Sequence, residues 1–302
     1  MFEKTKILLI VLSVLTISAC FNDGGNTVNT SKSYDVTYAS TSALGVNVND
    51  PAAADSSPDI SSNGLELFFH SNRAGEGGFD LWVSTRASEL DPWGAATNLG
   101  ATVNSAFNDK GPDLSDDGLT MIFSSDRPGT GNLDLYKMTR PTIGGIWTAP
   151  AEVAGLINTT SNESGPSLTS NGLTLFFHSD APGGQGNTDL YYSTRPSTAD
   201  PWDSPVNLGA TINSTGNDSA PEISSDGLSI YFHSTRTGGL GPENIWRIAR
   251  TRASNPWGTP TVVPAPVDSV NNDTSPGLSD DWQTLYFSSS SSGVKDIFQA
   301  MP

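Results

Sequence analysis

Apolar and polar positions along the chain recur with a long period. Five phrases built alike, PDISSNGLELFFHS, PDLSDDGLTMIFSS, PSLTSNGLTLFFHS, PEISSDGLSIYFHS and PGLSDDWQTLYFSS, open at Pro58, Pro112, Pro166, Pro221 and Pro276, at intervals of 54, 54, 55 and 55 residues. Each runs through a Gly-rich loop into a second apolar phrase: DLWVSTR from Asp80, DLYKMTR from Asp134, DLYYSTR from Asp189, NIWRIAR from Asn244 and DIFQAMP from Asp296. Seven residues past Arg86, Arg140, Arg195 and Arg250 stands a Trp (Trp93, Trp147, Trp202, Trp257), followed by an apolar residue six later and an Asn or Asp eleven later. Self-similarity at this spacing marks a repeat architecture in which each unit buries its apolar face against the next.

Within a repeat the pattern predicts four strands. A short first strand around Ile60 turns at an Asn-Gly or Asp-Gly pair, a sequence that tolerates the positive φ of a two-residue hairpin. The second strand is apolar on both faces (Leu65, Leu67 and Phe69 against Phe68), as a strand sandwiched between neighbouring sheets must be. The DLW-type phrase is the third strand, and the fourth follows the Trp. Four-stranded antiparallel sheets repeated radially make an all-β, five-bladed β-propeller. The fifth repeat reaches Pro302 straight after its third strand, and Tyr38, Leu44 and Asn49 repeat the Trp–Leu–Asn spacing. Residues 37–49 are therefore expected to supply the missing strand and close the ring, giving a propeller over 37–302; an open solenoid would want polar capping repeats.

The segment before it reads as an address and a tether. Lys4 and Lys6 precede the apolar run Ile7–Ile17, too short to span a bilayer as a helix. Residues 1–19 form a signal peptide, and Ile17-Ser18-Ala19-Cys20 resembles a bacterial lipobox whose Cys20 is the lipidation site. Cys20 is the only cysteine of the chain, so no intramolecular disulfide can form. Residues 20–36 are Gly/Asn/Ser/Thr-rich and aperiodic, hence a flexible tether. The expected location is the bacterial cell envelope, lipid-anchored, and Phe21 after the cysteine points to the outer membrane by similarity to enteric sorting rules.

Charge narrows the partners. Lys+Arg 15 against Asp+Glu 32 gives a formal charge of −17, which argues against nucleic acid and leaves room for a cationic ligand or Ca²⁺. No cofactor is identified beyond that possible Ca²⁺. The expected partners are an envelope protein or a glycan, with membrane contact through the lipid anchor only, on a monomer.

The Pro-x-[Ile/Leu]-Ser-x-[Asp/Asn]-Gly-x-x-[Leu/Ile]-x-Phe-x-Ser phrase resembles the WD40-like (PD40) β-propeller repeat of TolB-type bacterial envelope proteins, over residues 37–302. The resemblance implies a blade and is nearly silent about activity, since one scaffold hosts enzymes and binding proteins alike. The chain has no room for TolB's N-terminal α/β domain, so TolB's partners do not transfer.

Candidate chemistry falls into two sets. A rim of carboxylates, Asp55, Asp109, Glu163, Asp218 and Asp273, precedes the prolines; His70, His178 and His233 share one repeat position, where the other blades carry Ser124 and Ser288; and Arg73, Arg127 and Arg236 stand in the loops that follow. Either these residues form a ligand-binding rim, or each locks its own blade through turn amides and Arg pairing. The histidines are spread round a ring away from the axis, so no metal site is assigned to them. The second set breaks the symmetry: Glu66, Glu76, Glu89, Glu152, Glu222 and Glu243 have no counterpart in every blade. Five-bladed propellers include glycosidases working with paired carboxylates, but no spacing here identifies a dyad and no catalytic residue is assigned. The first expectation is a lipid-anchored binding or scaffold module using the loop rim; the alternative is a carbohydrate-active enzyme or lectin at the channel mouth, for which Glu222 or Glu243 beside a second carboxylate would be the sign.

Overall fold

The computed structural model describes residues 36–302, all β and turn, with no helix among them. The expected signal peptide, the expected lipidation site Cys20 and nearly all of the expected tether lie outside the described residues. Blade 1 comprises Asp55–Ile60, Glu66–Ser71, Asp80–Thr85 and Thr97–Asn98; blade 2, Asp109–Leu114, Thr120–Ser125, Asp134–Thr139 and Ala151–Glu152. Blade 3 comprises Glu163–Leu168, Thr174–Ser179, Asp189–Thr194 and Val206–Asn207; blade 4, Asp218–Ile223, Ser229–Ser234, Asn244–Ala249 and Thr261–Val262. Blade 5 takes Asp273–Leu278, Leu285–Ser289 and Asp296–Met301 from the C-terminal end and Ser40–Ala43 from the N-terminal side. Every strand pairing within a blade is antiparallel, and the first strands pack against one another round the axis, blade 5 onto blade 1.

The closure is the expected one. Ser40 to Ala43 pair with Met301 to Phe298. Asn49 then clamps the junction: its Nδ2 donates to the carbonyls of Leu44 and Ile297, while its Oδ1 accepts the Ile297 amide. Asn104, Asn158 and Asn213 make the same two-way clasp on Leu81, Leu135 and Leu190.

The core lies between blades. Each of five apolar clusters joins the second and third strands of neighbouring sheets; Phe68 and Leu81 of blade 1, for instance, pack with Met121, Phe123, Tyr136, Met138 and Trp147 of blade 2. Burial of the second strand on both sides accounts for its continuous apolar run. The hairpin between first and second strands is longer than a two-residue turn. Ser61 donates to the Glu66 carbonyl across four residues, Gly64 takes φ +70°, and Asn63 Oδ1 accepts from the Ser61 hydroxyl and the Leu65 amide.

Candidate functional site

The axis is built from the first strands, and a bulge in each decides what faces it. The residue before every blade-opening proline has positive φ: Ser57, Gly111, Gly165, Ala220 and Ser275. Pairing with the second strand skips at this point in all five blades. A bulge leaves an amide outside the ladder, and the preceding blade satisfies it. Gly111 donates to His70 Nδ1 at 3.2 Å, Ala220 to His178 Nδ1 at 3.2 Å and Ser275 to His233 Nδ1 at 3.3 Å; Gly165 and Ser57 donate to the hydroxyls of Ser124 and Ser288. The three imidazoles are thus separate bonds between successive blades. Burial pushes them down, to about 3 for His70 and His233 and about 4 for His178, so they are neutral acceptors.

The residues after the first four prolines, Asp59, Asp113, Ser167 and Glu222, line the channel, and Gly277 stands at the fifth such position. Each of the four side chains accepts an amide of the next blade. Asp59 Oδ2 takes Leu114 N–H at 2.7 Å, Asp113 takes Leu168 N–H at 3.1 and 3.2 Å, Ser167 Oγ takes Ile223 N–H at 2.9 Å, and Glu222 Oε1 takes Leu278 N–H at 3.3 Å. The Ser167 hydroxyl also donates to Glu222 Oε2. At the fifth position only glycine fits, because a Cβ on Gly277 would stand 2.2 Å from the Pro58 carbonyl oxygen.

Three carboxyls in one narrow channel disfavour one another's charge. Burial and the proximity of Asp113 and Glu222 raise Asp59 well above the usual carboxylate range. Burial lifts Asp113 to about 7; burial and the Asp113 charge lift Glu222 to about 8. Around them the channel encloses about 50 Å³ toward the hairpin turns and about 30 Å³ between the prolines. Glu222 was singled out in the sequence; Asp59 and Asp113 were not, although the position after each proline alternates between acid, Ser and Gly in a way that could have marked it.

The rim residues are turned inward. Asp55 pairs with Arg73, Asp109 with Arg127 and Asp218 with Arg236, each at 2.5 Å with the carboxylate fully buried. Each Arg also lies over aromatic rings of its own blade, such as Phe69 and Trp82 for Arg73. In blade 3, where Ala181 replaces the Arg, Glu163 bonds to Thr159 and Ser179 instead. Asp273 bonds to the amide and hydroxyl of Ser269. The structure therefore bonds each rim carboxylate and Arg within its own blade, while the three rim histidines bond to the blade that follows. Among the described residues no group of three or more His, Cys, Asp or Glu is arranged to hold a metal ion. Glu243 is not part of the channel wall; its carbonyl accepts the Asp273 amide.

The large spaces lie between blades. One groove of about 820 Å³ separates blades 3 and 4 and is walled by Thr174, Phe176, Tyr192, Arg250 and Trp257 among others. Another of about 740 Å³ separates blades 5 and 1 and includes Arg86, Glu89, Trp93 and Tyr286. Each of the four Arg–Trp pairs places the guanidinium over its Trp, at 4.1 to 4.5 Å from the ring centre.

Comparison with solved structures gives the same architecture. An α-L-arabinofuranosidase from Lactobacillus brevis matches over 84% of this chain and 92% of that one, with a TM-score of 0.57 and 11% identity. An endo-arabinase from Bacteroides thetaiotaomicron matches over 86% and 97%, with a TM-score of 0.56 and 11% identity. TolB from Acinetobacter baumannii matches over 82% of this chain at 14% identity and a TM-score of 0.49; the chain spans only 54% of that TolB. No protein-family model matches the sequence, and no curated protein matches it either. At such identities the likeness is one of fold, the five-bladed propeller.

Proposed function

We propose that this chain is a binding module of the bacterial cell envelope, lipid-anchored through Cys20, that holds its ligand on the outside of the propeller and does no chemistry in the channel. The repeat phrase supports placing it with the WD40-like (PD40) propellers; the Lys4/Lys6 and Ile7–Ile17 pattern, with Phe21 after the cysteine, supports the outer membrane. One observation carries the reading. Every channel carboxyl is already bonded to an amide of the next blade, and the space beside the three is about 50 Å³. Ligand sites run to roughly 300–1,000 Å³, whereas about 30 Å³ is one water's share of liquid volume. The channel has the room of a hydration site, whereas the two inter-blade grooves reach ligand size.

A second reading has its own observation. Glu222, lifted to about 8, would be protonated at neutral pH beside Asp113 at about 7, and a carboxyl held protonated at neutral pH is what a glycosidase uses as its general acid. The two readings part on turnover. Full-length protein incubated with aryl arabinosides and arabino-oligosaccharides is expected to release no more product than its Glu222→Gln variant. Release that Glu222→Gln or Asp113→Asn abolishes would establish the enzyme.

A further inference from the structure

The grooves between blades are repeats of one another, and comparing them shows a vacancy with a defined shape. At the blade 1–2 junction, Arg140 is fixed at three points. Its Nε donates to the Gly118 carbonyl of its own turn, its guanidinium lies 4.5 Å from the Trp147 ring centre, and its two terminal nitrogens grip both oxygens of Glu66 at 2.8 and 2.5 Å. Glu66 is the first residue of the second strand of blade 1.

The blade 3–4 junction repeats this frame. Arg250 Nε and one of its terminal nitrogens both donate to the Gly227 carbonyl, at 2.9 and 2.8 Å, its guanidinium lies 4.1 Å from the Trp257 ring centre, and its other terminal nitrogen is directed away from that carbonyl. Trp257 meets Phe176 at 6.3 Å and 79°, as Trp147 meets Phe68 at 6.2 Å and 78°. The turn carboxylates correspond too: Asp117 is held by Ser115 and Leu119, and Asp226 by Ser224 and Leu228. Asp226 therefore does not prevent a carboxylate from docking here, since Asp117 accompanies the Glu66–Arg140 pair. One member is missing. The place of Glu66 is taken by Thr174, too short to reach the guanidinium, as Thr120 and Thr284 stand there at the blade 2–3 and 5–1 junctions, and among the described residues no carboxylate forms an ion pair with Arg250; what sets the blade 3–4 junction apart is the larger open groove beside its Arg. At this position lies the groove of about 820 Å³.

We infer that this groove binds a sugar carrying a carboxylate, a uronic-acid residue, with the ligand's carboxylate taking the position that Glu66 occupies at the other junction. An Arg fork held rigid by a carbonyl and a ring is pre-organised for bidentate carboxylate recognition. The rest of the wall matches a polyhydroxylated ring: the aromatic faces of Tyr192 and Trp257 suit its C–H surface, and Asn171, Asn207, Thr174 and Thr211 offer donors and acceptors for its hydroxyls. The inference names the ligand class of the binding-module reading and rests on it; turnover in the channel tests that reading separately.

The test is a calorimetric titration of the full chain with trigalacturonate, its methyl ester and a neutral trigalactoside. The acid is expected to bind saturably and at least tenfold more tightly than the ester or the neutral sugar. Thr174→Glu, which rebuilds the internal pair, is expected to weaken binding at least tenfold without lowering Tm, as is Arg250→Gln with the fold retained. Equal binding of acid and ester, or binding unaffected by Thr174→Glu, would overturn the site. Preference for an acidic peptide over trigalacturonate, lost in Thr174→Glu, would overturn the sugar and make the groove a peptide site.

Discussion

At the residue scale, the molecule uses buried polar side chains as fasteners between blades, and their titration is measurable. His70, His178 and His233 accept bulge amides as neutral rings, with values near 3 to 4 against 6.5 in the unfolded chain. Their contribution is complete above pH 6.5 and is lost as pH falls towards those values. The channel carboxyls have the opposite sign. Asp113 near 7 and Glu222 near 8 hold protons that the unfolded chain releases near pH 4, so their contribution is present at low pH and lost as pH rises through 7 and 8. Below 6.5 the two sets oppose each other; above it only the carboxyls titrate. Tm measured by calorimetry is therefore expected to fall between pH 6.5 and 8.5, and the fall should shrink in the Asp113→Asn/Glu222→Gln double variant. A wild-type Tm that is flat or rising over that window would contradict the channel assignment.

At the scale of elements, the closing strand matters more than its four residues suggest. Ser40–Ala43 have little buried surface, but the following turn carries Leu44, Val48 and Asn49 into the blade 5–1 junction. Asn49→Ala would leave the buried Ile297 amide without its partner, while the Ile297 carbonyl keeps the Leu44 amide. Leaving such groups unsatisfied costs about 1–3 kcal/mol, and urea unfolding should show that loss with little change in slope. An unchanged midpoint would mean that the ring is held without this clasp. These elements were legible before any coordinates: the Tyr38–Leu44–Asn49 spacing repeats Trp–Leu–Asn, because the same pocket between sheets must be filled in every blade. The hairpin length was not, since Asn-Gly and Asp-Gly satisfy a four-residue turn as well as a two-residue one. The channel wall was only half legible. Glu222 stood out by being asymmetric, but Asp59 and Asp113 were hidden inside the repeat phrase, and the bulge at Ser57 and its counterparts shifts the strand's phase so that alternation alone misplaces them. The vacancy at Thr174 becomes visible only when the neighbour across the junction, Arg250, is known.

At the scale of the whole molecule, the ring divides its interior from its working surface. The axis is closed by side chains bonded from blade to blade, and the five apolar clusters alternate with the blades round it. Rigid junctions of this kind leave outward grooves whose chemistry is set by single substitutions, as Glu66 against Thr174 shows. A net charge of −17 would repel an acidic ligand at long range, so a uronate must be recognised by close contact with Arg250, and added salt should screen the repulsion. The most direct measurement is a crystal structure of the full chain grown with trigalacturonate. The account predicts one uronate in the blade 3–4 groove, its carboxylate on Arg250, and a channel holding water alone. A sugar seated between Asp113 and Glu222 would contradict it.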